Sequence, residues 1–226
     1  MFYCSLCQAS HTFCIQQQIN DHKPVISLQF NEGELIFDEE QQLRGIYFIK
    51  SGVCKISKMS ANGKEQIIHF LGEGTLLGIR SILNEETTNL KARALTPVSV
   101  CFLSKKSFFE ILKDQNFIRQ LLGTFAEYLK ATDDRIVIMG QNKMVQRLAH
   151  FLIKIHDDFG EDTLGNLKLY LKREDMASYI GVTIESTIRM LKVFERKGLI
   201  LIQGKTQKYW ISGSSRTFLR DSVSKR

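Results

Sequence analysis

The sequence predicts an α+β chain in which a small β-barrel or sandwich precedes one long helix and a short helical module closed by a β-hairpin. Three observations carry this reading. Glycine-punctuated β-rich runs fill residues 25–103, an apolar stripe at helical spacing runs from 118 to 139, and two short helical patterns meet at Gly181. With 226 residues and 43% hydrophobic content, the chain has material for two cores.

The β-rich runs are Val25–Phe30, Leu35–Phe37, Gly45–Ile49, Val53–Ser57, Gln66–Leu71, Ala92–Leu95 and Val98–Leu103. Glu32-Gly33, Ser51-Gly52, Asn62-Gly63 and Gly72-Glu73-Gly74 mark the turns between them, where glycine permits a positive φ. Short strands at this spacing make a sandwich or a barrel. Ser104 then offers an N-cap for a helix over Lys105–Lys113, and a longer helix follows from about Asn116 to about Met139. Along it Ile118, Leu122, Phe125, Leu129, Thr132, Ile136 and Met139 recur at alternating steps of four and three, the spacing of a coiled-coil seam. Leu121, Tyr128 and Val137 lie off that seam and are available to pack on the chain's own barrel. Lys143–Phe159 reads as a further helix with Val145, Leu148, Phe151, Leu152 and Ile155 on one face, followed by a polar loop over Asp157–Asn166.

Charge is unevenly placed. Residues 1–142 carry 15 Lys/Arg and 15 Asp/Glu, whereas residues 143–226 carry 16 and 9, so the whole excess of +7 belongs to the C-terminal part. A local excess of this kind suits an anionic partner, most commonly nucleic acid. The five cysteines, Cys4, Cys7, Cys14, Cys54 and Cys101, are an odd number in a chain whose start lacks a secretory layout and which has no long apolar run. A cytoplasmic protein without a disulfide framework is expected, with metal or redox chemistry open to the thiols. Enzymatic chemistry is not expected. His69 is the single histidine of the barrel region, too few for a histidine-rich metal site, and no nucleophile–base pair stands out.

The segment from Arg173 to Arg196 is the most informative. Met176, Ala177 and Ile180 give a short helix one apolar face, Gly181 supplies a tight turn, and Thr183 is placed to cap the next helix. On that second helix Thr187, Met190, Leu191 and Phe194 follow the inward i, i+3, i+4, i+7 spacing. Glu185, Arg189, Lys192 and Arg196 then form an outer row, with Ile184, Ser186 and Ile188 at its edge. Such a row reads double-stranded DNA: Arg matches guanine O6 and N7, Glu accepts from cytosine N4, and an isoleucine touches a thymine methyl. Lys192 and Arg196 suit phosphate contacts that position without specifying. Leu199–Gln203, Gly204-Lys205 and Tyr209–Ile211 complete a hairpin whose tip, Lys205, is placed near backbone phosphate. The DNA-contacting set is therefore Arg173, Thr183, Glu185, Ser186, Ile188, Arg189, Lys192, Arg196 and Lys205.

On Gly33-Glu34, Tyr47–Gly52, Gly63-Lys64-Glu65, Gly72–Gly78 and Glu185–Arg189, and on the order of its elements, the chain resembles the CRP/FNR family of bacterial regulators over roughly residues 20–211. The resemblance implies a cyclic-nucleotide-binding-like jelly roll, a dimerisation helix and a winged helix-turn-helix. It implies a homodimeric activator that reads a near-palindromic operator and works with RNA polymerase. The implied boundaries are a cysteine-containing segment at 1–22, a sensor barrel at 23–113, a dimerisation helix at 114–140 and a DNA-binding domain at 141–226. Where nucleotide-responsive members carry a ribose-binding glutamate before Arg-Ser, this chain has Gly78-Ile79-Arg80-Ser81. The later position of the phosphate arginine falls near Thr88-Asn89-Leu90, which has none. Cyclic nucleotide is thus disfavoured as the ligand. The oxygen-sensing branch holds a [4Fe–4S] cluster on three N-terminal cysteines and one from the barrel, and Cys4, Cys7, Cys14 and Cys101 stand in similar places, with one residue more between the second and third. Zinc, a regulatory disulfide and a small ligand are the alternatives for the sensor. Cys54 alternates into a strand and is expected in the core.

Overall fold

The computed structural model describes residues 26–203 and 208–211. The chain divides into two compact units between Lys130 and Ala131. No helix among the described residues is long and apolar enough to cross a membrane.

The first unit is built from β1 (Ile26–Phe30), β2 (Leu35–Phe37), β3 (Gly45–Ser51), β4 (Cys54–Met59), β5 (Glu65–Leu71), β6 (Leu76–Leu77), β7 (Lys91–Ala94) and β8 (Val98–Ser104). They form two four-stranded antiparallel sheets, ordered β1-β8-β3-β6 and β2-β7-β4-β5. This is the jelly-roll arrangement expected from evenly spaced short strands. Phe37 of one sheet meets Tyr47 of the other with ring centroids 6.0 Å apart, and Val98, Val100, Ile49, Ile56, Ala92 and Ala94 belong to the same buried cluster. The turns fall where glycine permits them. At Gly52, φ is +87° and an added Cβ would lie 2.2 Å from the Pro97 carbonyl oxygen, so no other residue fits that turn without moving the neighbouring backbone.

Helix α1 (Ile79–Asn84) and strand β6 have no counterpart in the sequence-based expectation. The helix begins at Gly78 in the left-handed region with no side-chain cap, so the usual start signal is missing. Helix α2 (Lys105–Ile111) does carry its signal, since Ser104 Oγ accepts from the Ser107 backbone N–H at 3.1 Å. Helix α3 (Gln115–Gln141) follows. Phe117 and Leu121 are buried, and the Tyr128 ring lies 4.8 Å from that of His69 on β5. Val137, expected to pack inward beside them, is exposed.

The second unit holds α4 (Met144–Phe159), α5 (Arg173–Ile180), α6 (Ile184–Arg196) and the hairpin β9 (Ile200–Gln203) with β10 (Lys208–Ile211). Leu148, Phe151, Leu152 and Ile155 of α4 are buried as the periodicity requires, whereas Val145, in the first turn beside exposed Met144, is exposed. Leu167, Leu169 and Leu171 add an alternating buried row from the connection before α5.

Candidate nucleic-acid interface

Helices α5 and α6 are joined by a turn that the local chemistry dictates. Gly181 adopts φ 70° and ψ 42°, and its N–H closes α5 on the Ala177 carbonyl. Two residues later Thr183 is extended and its Oγ accepts the Ser186 backbone N–H at 3.2 Å, satisfying a donor that the new helix leaves open. Removing that cap with Thr183→Ala is expected to destabilise this unit by about 1 kcal/mol, read as a lower urea midpoint with an unchanged slope.

The inner face of α6 is fixed by burial of Thr187, Met190, Leu191 and Phe194. Met176, Ala177 and Ile180 of α5 are buried as well. Anchoring one face determines what the other shows. Glu185, Arg189, Lys192 and Arg196 are all exposed, and together with half-buried Ile188 they line a shallow open concavity. Ile184 stands beside them, 40% exposed. The Glu185 carboxyl is held below the ordinary carboxylate range by its own backbone N–H and by the Thr183 hydroxyl, so it is an acceptor at neutral pH. Ser186 sits at the cap rather than on the outer row. Arg173 opens α5 and is half-buried. Lys205 lies outside the described residues.

The seam residues of α3 separate into two groups. Leu122, Leu129 and Ile136 are 61%, 62% and 65% exposed, and Ile118 is 37% exposed. Phe125, Thr132 and Met139 are half-buried, Phe125 against the barrel core.

The thiols differ sharply in setting. Cys54 is fully buried, and burial pushes its thiol up to about 12, which makes it a poor source of thiolate. Cys101 on β8 is half-buried and pairs across the sheet with Phe48 and Ser27, while its neighbour Phe102 pairs with Tyr47. Paired residues share a face and successive residues alternate. Tyr47 faces the other sheet, so Cys101 lies on the opposite face of its sheet, beside buried Phe48 and half-buried against the core. Cys4, Cys7 and Cys14 lie outside the described residues. Among the described residues no cluster of three His, Cys, Asp or Glu side chains is placed to hold a metal ion.

The positions that the resemblance assigns to a cyclic nucleotide carry other side chains here. Ile79 is buried in the barrel. Arg80 Nη2 donates to Asn89 Oδ1 at 2.9 Å, and buried Thr88 exchanges hydrogen bonds with the backbone of Leu90.

Residues 27–115 match the cyclic nucleotide-binding domain and residues 146–212 the Crp-like helix-turn-helix domain. The chain belongs to the CRP/FNR family. It is a DNA-binding transcriptional regulator of that family and resembles the FNR branch. The regulatory protein HlyX of Actinobacillus pleuropneumoniae is 27% identical over 222 residues, covering 90% of this chain and 88% of that protein. The fumarate and nitrate reduction regulatory protein of Salmonella typhi is also 27% identical over 222 residues, covering 90% and 84%. Among solved structures, FixK2 from Bradyrhizobium japonicum superposes with a TM-score of 0.77 at 22% identity, covering 88% of this chain and 96% of that one, a likeness of fold.

Proposed function

We propose that this family member is a homodimer that binds a near-palindromic operator under oxygen or redox control, through a [4Fe–4S] cluster held by Cys4, Cys7, Cys14 and Cys101. In this reading residues 1–22 and 23–113 sense, 114–140 dimerise and 141–226 read DNA. The exposed outer row of α6 carries the DNA half of the proposal. Arg189 pairs with guanine, Glu185 with cytosine N4 and Ile188 with a thymine methyl, while Lys192, Arg196, Arg173, Lys205 and the Thr183–Ser186 cap face phosphates. A two-fold dimer through Ile118, Leu122, Phe125, Leu129, Thr132, Ile136 and Met139 sets two such helices about one DNA turn, roughly 34 Å, apart.

The sensing half rests on the thiols and on relatives named for control of fumarate and nitrate reduction. Cys101 is the described thiol better suited to ligation: it is only half-buried, whereas Cys54 is sealed in the core with its proton firmly held. Four cysteine thiolates make the donor set that such a cluster takes, and the group, when bound, supplies an oxygen-sensitive centre. Cys101 joins the N-terminal segment to a central strand of the barrel when all four cysteines ligate together. Ligation then shifts the population of DNA-competent dimer only as far as it favours that state over the other.

Anaerobic treatment with iron and sulfide is expected to give the full-length chain a broad visible absorption that fades in air. Cys101→Ser is expected to abolish that band without changing the DNA sequence the chain selects. A colourless wild-type chain that still selects a sequence would move the signal to a disulfide or a small ligand.

A further inference from the structure

At the end of α3, the Arg135 side chain reaches the reading module. Arg135 Nη2 donates to the Tyr179 carbonyl oxygen at 3.1 Å, and the guanidinium carbon lies 4.0 Å from the centroid of the Tyr179 ring. The same ring meets that of Phe151, centroids 4.9 Å apart, and Phe151 is buried in the core of the module. The guanidinium therefore lies over a ring that itself contacts the core of the module.

The place of this contact gives it consequence. Tyr179 is the penultimate residue of α5, and its carbonyl is one of those that a helix leaves without an intrahelical donor at its C-terminus. A cation there also meets the negative end of the helix dipole. The Gly181 turn and α6 follow at once, so Arg135 grips the point from which the recognition helix is aimed. Arg135 directly precedes Ile136, a seam residue that is 65% exposed. Adjacent residues of α3 thus face two tasks, one toward a second copy and one toward the reading helix.

We propose that Arg135 is a positioning residue that fixes the angle between the end of α3 and the helix-turn-helix, and so sets which half-site spacing the dimer accepts. This rests on the dimeric DNA-binding reading above. A planar fork that both stacks and donates holds an orientation as well as a distance. A lysine keeps the charge but not the stacking plane.

The test uses the full-length chain and duplexes that the wild type selects from random sequence, with the inverted half-sites then re-spaced in single base-pair steps. Wild type is expected to show one sharp spacing optimum. R135A is expected to remain a dimer by sedimentation, to bind the optimal duplex about ten-fold more weakly, and to accept the neighbouring spacings nearly as well. R135K is expected to broaden the spacing profile with a smaller loss of affinity, and it carries the readout if R135A fails to fold. Y179F keeps the ring and the carbonyl and is expected to retain the wild-type profile. A dimeric R135A or R135K with wild-type affinity and spacing preference overturns the role of Arg135 and leaves the DNA-binding reading intact. A wild-type chain that selects no duplex overturns that reading itself.

Discussion

Replacing Leu129 and Ile136 together with glutamate is expected to give a folded monomer whose affinity for a two-half-site operator is weaker by about 10²–10⁴-fold. Both side chains are more than half exposed in the single chain, so their loss removes little packing from either unit. Glutamate is also a good helix former, and α3 should persist. In a paired seam the outcome reverses, because two copies would bring four carboxylates into a strip that must lose its water. Each monomer keeps its recognition helix, yet the second half-site is no longer presented at high effective concentration. Sedimentation and binding to duplexes with one or two half-sites separate the two effects. Single-half-site affinity should be unchanged, and a double variant that stays dimeric at micromolar concentration would remove the seam from the interface.

What the sequence made legible follows from how local the signals are. The Ser104 and Thr183 caps, the positive-φ glycine at 181 and the inward stripe of α6 each depend on residues within a few positions, and each stands in the structure as read. Helix α1 was illegible for the same reason: six residues starting at a glycine with no side-chain cap give no local signature. Val145 fits the helical period of α4, but period says which side a residue is on and not whether anything lies opposite it. Cys101 sits in an apolar run, Val98–Leu103, that does not alternate cleanly, so the face it occupies emerges only from its pairing with Phe48 on β3. Arg135 is beyond any local rule, since its partner is 44 residues away and a lone arginine beside an apolar seam looks like ordinary solvated charge.

Arg189→Ala is expected to erase discrimination at one base pair in each half-site while leaving the fold untouched. The side chain is exposed on the face of α6 opposite the buried Thr187, Met190, Leu191 and Phe194, so nothing in the core depends on it. A bidentate arginine–guanine pair contributes about 1–3 kcal/mol of discrimination, and a symmetric dimer makes it twice, giving about 2–6 kcal/mol against a fully mismatched operator. Lys192→Ala, one turn of α6 further along the same row, provides the contrast. A phosphate contact carries no sequence information, so its loss should weaken all duplexes alike and lower the salt dependence by about one counterion per contact. Competition between duplexes that differ at single base pairs, repeated at two salt concentrations, reads both quantities in one experiment. If Arg189→Ala behaves as Lys192→Ala should, uniformly weaker and less salt-dependent, then Arg189 holds phosphate and the reading of bases passes to Glu185 and Ile188.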